Sequence, residues 1–358
     1  LALVLGGGAL KGFAHIGALR ALAEHGIQPS IYAGSSIGAL VAAAAAGGMD
    51  VNTMAERAIA LRRKDLFRIN HMGMLMDRMQ SRSIYLEAPL RALCDHVVPE
   101  GTFAELRTPL LVTSVDIEQG LEVVWGTPGM RDVSVRDAVY ASCALPGFFP
   151  PGMVNGRPCI DGGTTDNLPV SIASLGVDAV IAIDVGIGDV PAAAGIAQQG
   201  FASVYMRAAT LMMHALQSRV LERWQGPPML LVRPRVSHIS WFGFQHTAEL
   251  LQLGYDAMTE ALVDFDKVLS ARGGIFPRRR VALSVNRDAC VGCGQCVAQA
   301  PHLMAIDASG KAFATTPNLE WSPADGSFVR QCPTGAISVR SRDRHLTPPS
   351  ALAQVGAD

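Results

Sequence analysis

The sequence predicts an α/β protein, with one large domain built on a mostly parallel sheet and a small cysteine-bearing α+β unit after it. Three observations carry this. The chain opens on a continuous apolar run, LALVL, that stops at three glycines and hands over to a helical pattern; a run of that kind suits a strand buried on both faces, as in a parallel sheet. Strand–loop–helix alternation then continues along the chain. Four of the seven cysteines crowd into the last fifth of the 358 residues, after a break in composition.

The elements follow in order. Residues 14–25 read as a helix ended by Gly26 and Pro29. A short strand at residues 31–33 turns sharply through Gly34-Ser35-Ser36-Ile37-Gly38 into an alanine-rich helix that stops at Gly47-Gly48. Further strands are expected at residues 110–115, 121–125 and 179–185, with helices between them. The stretch ARGGIFPRRR, residues 271–280, reads as a linker, because it holds two glycines, a proline and four arginines. The expected layout is therefore a domain over 1–270, a linker over 271–280, a compact cysteine unit over 281–340 and a polar, disordered tail over 341–358.

Composition narrows the function. At 49% hydrophobic and 17% charged, the chain can bury a large core and is not an intrinsically disordered type. A net charge of -1 gives no global attraction to nucleic acid. No apolar run reaches the roughly 20 residues needed to span a bilayer. An odd number of cysteines with a tight cluster reads as metal ligation in a reducing, cytoplasmic compartment rather than as a disulfide framework. The sequence opens on Leu1 inside a strand rather than on Met, which leaves open a segment ahead of it, a signal peptide included.

Chemistry concentrates at three places in the large domain. Gly34-Ser35-Ser36-Ile37-Gly38 fits G-x-S-x-G between a strand and a helix, where a serine is held on a strained turn and the following helix aims its free amides at the site. Gly6-Gly7-Gly8-Ala9-Leu10-Lys11-Gly12 offers successive amides that can converge on a small anion, as an oxyanion hole requires. A dinucleotide loop is the rival reading. It loses because the glycines are not spaced G-x-G-x-x-G and no acidic ribose ligand follows about 20 residues on. A phosphate-binding P-loop loses because Gly12 is not followed by Lys-Ser or Lys-Thr. Asp161, in Cys159-Ile160-Asp161-Gly162-Gly163, is the third place; it gains weight because none of the nine histidines stands in a loop motif after a strand. His15 falls within the first helix, and His238 and His246 flank an apolar stretch, Trp241-Phe242-Gly243-Phe244, read as core or interface.

Together with the run Ala141-Ser142-Cys143-Ala144-Leu145-Pro146-Gly147-Phe148-Phe149-Pro150-Pro151, these segments, in this order, resemble the patatin-like phospholipase family over residues 1–270. The resemblance implies a three-layer α/β/α fold and a Ser-Asp dyad without histidine. It makes Ser36 the nucleophile and Asp161 the base, with oxyanion amides from Gly6, Gly7 and Gly8. Lys11 is the basic residue of that loop, and Gly34, Gly38 and Gly162 are supporting positions. The implied reaction is hydrolysis of a phospholipid or another fatty acyl ester, with no cofactor needed for it and with peripheral membrane contact, at the inner membrane face. Candidate docking features are the Met-rich residues 71–79 and Arg62, Arg63, Arg68, Arg78 and Arg82, which equally suit a lid or a solvated helix face.

Cys290-x2-Cys293-x2-Cys296, with Cys332-Pro333 far downstream, suits an iron–sulfur cube better than zinc, whose sites more often show two separated C-x2-C pairs. The unit resembles a bacterial ferredoxin domain. Where a two-cluster ferredoxin has a further cysteine this chain has Ala300-Pro301, so one 4Fe-4S cluster is implied, or a 3Fe-4S form if Cys293 is not used. Two readings of the whole chain follow. One is an acyl hydrolase with an appended module for redox sensing, electron transfer or docking of a redox partner protein. The other is an electron carrier or redox-coupled scaffold whose large domain only binds lipid. Intact Ser36, Asp161 and glycine loop favour the first.

Overall fold

The computed structural model describes residues 1–71, 83–186, 188, 190 and 193–341. The chain divides into two compact units, Leu1–Gly274 and Ile275–Asp358.

In the first unit, β1 (Ala2–Leu5), β2 (Ile31–Gly34), β3 (Leu110–Asp116), β7 (Val180–Ile183) and β8 (Met229–Val232) form the parallel part of the sheet, in the order β3-β2-β1-β7-β8. All four residues of β1 and of β7 are buried, which is why each reads as an unbroken apolar run. On the β3 side the sheet turns antiparallel, through β4 (Leu121–Trp125), β5 (Gly152–Val154) and β6 (Arg157–Asp161). Here the sequence is less legible. Strands β5, β6 and β8 are short, and the pair β5–β6 is joined by Asn155-Gly156, both at positive φ, a hairpin turn that the sequence reading passed over.

Helices pack around this sheet. They are α1 (Phe13–Glu24), α2 (Ile37–Ala46), α3 (Val51–Ala60), α4 (Arg63–Leu66), α5 (Glu87–Val97), α6 (Val135–Cys143), α7 (Phe201–Glu222) and α8 (Thr247–Leu262). Helix α2 lies against β1, β2 and β3, α6 against β3, β5 and β6, and α8 against α1 and β8. The sheet therefore delivers the ends of β1 and β2 and the start of α2 to one place, and β6 brings in a residue from 125 positions downstream.

In the second unit, β9 (Ile275–Phe276) and β10 (Arg279–Val285) occupy part of the stretch expected to be linker. The reason is period-two alternation: Val281 and Leu283 are buried while their neighbours face outward. Strand β10 lies between β13 (Asn318–Trp321) and β14 (Ile337–Ser341), and β11 (Met304–Ile306) pairs with β12 (Ala312–Ala314). Its small core includes Val281, Leu283, Met304, Phe328, Ile337 and Val339, with Cys290 and Cys296 among them. The expected tail beyond residue 341 lies outside the described residues.

Candidate active site

Ser36 joins β2 to α2 at φ 54° and ψ -131°. A residue with a Cβ is rarely found there, so the turn is strained and must be held by its surroundings. Gly38 is part of that hold. A Cβ on it would stand 2.0 Å from the carbonyl oxygen of Leu5, so only glycine lets α2 approach β1 this closely. The Ser36 amide donates to Ser142 Oγ at 2.9 Å.

Asp161 ends β6, and its own amide donates to the carbonyl of Ala144 at 3.0 Å. Ser36 Oγ donates to Asp161 Oδ2 at 2.6 Å, and the Gly163 amide donates to Asp161 Oδ1 at 2.8 Å. Burial pushes the Asp161 carboxyl up to about 6, against the two hydrogen bonds that pull it down. It is thus ionised at neutral pH, yet basic enough to take a proton in a transition state. The structure also explains the run at residues 141–151. Ser142 holds the backbone of one member of this pair, Ala144 holds the other, and Phe149 lines the pocket beside both.

The glycine loop needs a correction. The Gly6 amide donates to the Ile183 carbonyl at 3.0 Å, prolonging the β1–β7 ladder, and the Gly7 amide donates to the Asn167 carbonyl at 3.0 Å. Neither is left to meet a substrate. Among the described residues, the amides of Gly8 and Ala9 carry no hydrogen bond, and both residues line the pocket with Ser36. Gly7 matters for close approach instead, because a Cβ there would lie 2.4 Å from Asn167 Oδ1 and 3.1 Å from Ser36 Cβ. Lys11 is buried and does not line the pocket; Gly34 ends β2, and Gly162 opens the short turn after Asp161.

The sequence reading missed Asn167. Its carbonyl accepts from Gly7, and its Nδ2 donates back to the Gly7 carbonyl at 3.2 Å and towards Gln217 Oε1 at 3.4 Å. Gln217 Nε2 donates to Asp184 Oδ2 at 2.7 Å, and the same oxygen takes Arg233 Nε at 3.1 Å. A buried polar chain therefore runs from the glycine loop to an Asp–Arg pair. The signal was present in Asp166-Asn167-Leu168-Pro169, but nothing in one sequence says which loop an asparagine will face. Behind the loop, His15 Nε2 lies 2.7 Å from the Gly6 carbonyl. Complete burial pushes this imidazole down to about 4. It is neutral at pH 7, so Nε2 carries the hydrogen and donates it, while Nδ1 has no partner among the described residues.

The pocket over Ser36 is apolar, walled by Leu40, Phe67, Leu90, Phe149, Met213 and Trp241 among others, and Asp161 is the one charged side chain among its described lining residues. Phe67 packs edge-on to Phe242 with ring centroids 5.2 Å apart. Trp241 and Phe242 thus turn out to be pocket wall, while His238 and His246 both meet the Glu249 carboxylate, at 2.8 and 2.7 Å. Cys143 also lines the pocket, and burial pushes its thiol well up, which keeps it protonated and a poor nucleophile. Arg62, Arg63 and Arg68 are exposed around α4; residues 72–79, Arg78 and Arg82 lie outside the described residues.

In the second unit, Cys290, Cys293, Cys296 and Cys332 line a single cavity. The Ala312 amide donates to Cys290 Sγ at 3.4 Å, and with the Gly292 amide it holds that thiol below its ordinary range. Cys332 is also held low, because donation from Thr334, Ala336 and Ile337 outweighs the upward push of burial. Amides aimed at sulfur are what thiolate ligands of a cluster need. Among the described residues, no three His, Cys, Asp or Glu side chains converge closely enough to hold a single metal ion.

Residues 283–339 match the family model of a 4Fe-4S single cluster domain. Over 186 residues the chain is 36% identical to an uncharacterised NTE family protein of Mycobacterium tuberculosis, covering 51% of this chain and 48% of that one. Over 294 residues it is 30% identical to the lysophospholipase NTE1 of Phaeosphaeria nodorum, covering 71% of this chain and 18% of that one. Among solved structures, VipD from Legionella pneumophila superposes with a TM-score of 0.39 at 18% identity, covering 74% of this chain and 66% of that one. The chain spans about half the length of the mycobacterial relative and less of the fungal one. Residues 3–174 match the family model of the patatin-like phospholipases. That match runs from β1 to beyond Asp161, so the N-terminal unit is similar to the patatin-like phospholipases over the stretch that builds the strained serine and its carboxylate partner.

Proposed function

We propose that the N-terminal unit hydrolyses carboxylic esters of lipids, with Ser36 as nucleophile and Asp161 as its base. The observation that carries this is the 2.6 Å hydrogen bond from Ser36 Oγ to a buried carboxylate in the wall of an apolar pocket. Ser36 Oγ attacks the acyl carbonyl carbon while its proton passes to Asp161. The Gly8 and Ala9 amides receive the oxyanion. As the ester C–O bond breaks, Asp161 returns the proton to the departing alcohol. Water then attacks the acyl-serine, giving its proton to Asp161, and Ser36 leaves with that proton as the fatty acid is released. The apolar wall takes the acyl chain, and among the pocket's described lining residues there is no histidine to compete for the role of base. A fluorophosphonate probe labels Ser36 in wild type, and free fatty acid is released from a lysophospholipid; labelling that persists unchanged in Ser36→Ala would overturn the assignment.

The base sets the pH profile. Asp161 must be ionised to accept the proton, and burial holds it at about 6, so kcat/KM for a neutral ester rises about tenfold per pH unit up to that value and levels off above it. A rate profile flat from pH 4.5 to 7.5 (about three units around the expected midpoint) would argue against Asp161 as base.

For the second unit we propose that Cys290, Cys293, Cys296 and Cys332 hold one 4Fe-4S cluster, with a 3Fe-4S form if Cys293 is not used. A cube takes one cysteine at each iron, so its ligands line a chamber rather than meet at one point, in keeping with the cavity they share. When bound, the cluster supplies one-electron transfer, for redox sensing or exchange with a redox partner protein. Anaerobically purified protein is expected to be brown with about four irons and four sulfides per chain, and Cys332→Ser to lose most of both. Colourless protein with stoichiometric zinc would rule the cluster out.

A further inference from the structure

Helix α7 carries apolar residues on its outward face as well as on its inward one. Its inward face carries Met213, which lines the pocket, Gln217, which belongs to the polar chain behind the glycine loop, and the buried Leu221. The opposite face should be polar if it met only water. Instead Phe201 is 90% exposed, Met212 58% and Tyr205 55%, with Val204, Leu211 and Leu216 exposed beside them. These positions recur every three or four residues, and the exposed Ala208 and Ala215 fill the gaps, so they form one stripe along the helix. At 22 residues the helix is roughly 33 Å long. Contiguous apolar surface of this extent marks a place where something docks.

We propose that α7 is an interfacial helix that seats the N-terminal unit on a lipid surface, an inference that rests on the reading of this unit as a lipid ester hydrolase. Two features select a bilayer as the occupant. The stripe ends in Arg219, Glu222 and Arg223, all exposed, and this net positive end suits anionic head groups once the apolar residues have entered the acyl boundary. The outward stripe and the pocket wall are also two sides of the same helix. An acyl chain leaving a bilayer beside α7 has only the thickness of that helix between its old surroundings and the pocket at Met213. The docking role thus falls to α7, where the sequence points to the arginines around α4.

The test uses the full chain and the substitutions Met212→Glu and, as a milder change, Leu216→Ser; neither residue lines the pocket. Vesicles of phosphatidylcholine and phosphatidylglycerol in equal parts are pelleted with each protein, and hydrolysis of p-nitrophenyl butyrate in free solution is measured in parallel. Met212→Glu is expected to weaken vesicle binding about tenfold or more and Leu216→Ser less, with the soluble ester cleaved as in wild type. Variants that pellet like wild type would overturn the inference. So would a wild type that ignores vesicles and elutes as a dimer that Met212→Glu splits, since the stripe would then be a contact between copies. If wild type pellets through α7 but cleaves neither p-nitrophenyl butyrate nor the vesicle phospholipids, the docking role stands and the hydrolase reading falls.

Discussion

Ser36→Ala is expected to lower kcat for lipid esters by about 10^4- to 10^6-fold, and Asp161→Asn by about 10^4-fold, with the double variant no worse than Ser36→Ala. The two side chains act as one unit, because the proton that Ser36 Oγ must lose is already directed at Asp161 Oδ2 at 2.6 Å. Once either is gone, the other has nothing left to do. Asparagine at 161 keeps the shape and can still accept from the Gly163 amide, but it cannot take a proton. The same change is expected to leave the fold at least as stable. Asp161 is held at about 6, well above its ordinary 3.8, so the ionised carboxylate at pH 7 costs the native state on the order of 3 kcal/mol relative to the unfolded chain. Turnover assays and thermal melts at pH 7 check both halves. An Asp161→Asn protein that is inactive only because it melts well below wild type would refute the catalytic explanation.

Asn167→Ala is expected to cost about 10^2- to 10^3-fold in kcat with little change in KM, the size of effect seen when an oxyanion donor is lost. Asn167 lines the pocket, but its side-chain Nδ2 donates to the Gly7 carbonyl and towards Gln217. It fixes Gly7 from both sides, accepting from its amide and donating to its carbonyl, and so sets where the next two amides, of Gly8 and Ala9, point. A loop free to tilt would still admit substrate but would meet the tetrahedral intermediate poorly. The distinguishing measurement is affinity for a charged phosphonate analogue against that for a neutral substrate. The first should fall with kcat while the second holds, whereas general loosening of the fold would weaken both.

Much of this site could be read from the chain. Ser36 lies in a local pattern in which strand, turn and helix are consecutive, so neighbouring residues declare its conformation. Asp161 was reachable only through its motif, because its nearness to Ser36 depends on an antiparallel pairing of β6 with β3 that no short-range pattern specifies. Two of the three expected oxyanion donors, Gly6 and Gly7, have their amides engaged elsewhere for a physical reason. Gly6 looks like loop in sequence, yet its amide continues the β1–β7 ladder, and glycine gives no side-chain signal of where a strand stops. Asn167, Gln217 and Asp184 were invisible because they meet only in the folded sheet, across separations of 50 and 33 residues. The stripe on α7 was hidden by the opposite problem. A helix apolar on both faces reads in sequence as an ordinary buried one.

The buried imidazole of His15 has a bearing on how acid inactivation should be interpreted. Held at about 4 against an ordinary 6.5, it stabilises the native state in full above pH 6.5, and that contribution drains away as acid is added and the unfolded chain takes up a proton the native one refuses. Asp161 runs the other way. Its strain on the fold is greatest above pH 6 and is relieved as acid protonates it, down to the ordinary 3.8. The two windows, roughly 4 to 6.5 and 3.8 to 6, nearly coincide and the slopes oppose, so these two groups together leave stability almost level across the range in which the base titrates. Asp166, which burial raises to about 7, adds a slope of the same sign as Asp161 over this range, so a thermal melt at each pH is the measurement that separates titration of the Ser36–Asp161 pair from a change in the fold, and His15→Gln removes one of the opposing slopes.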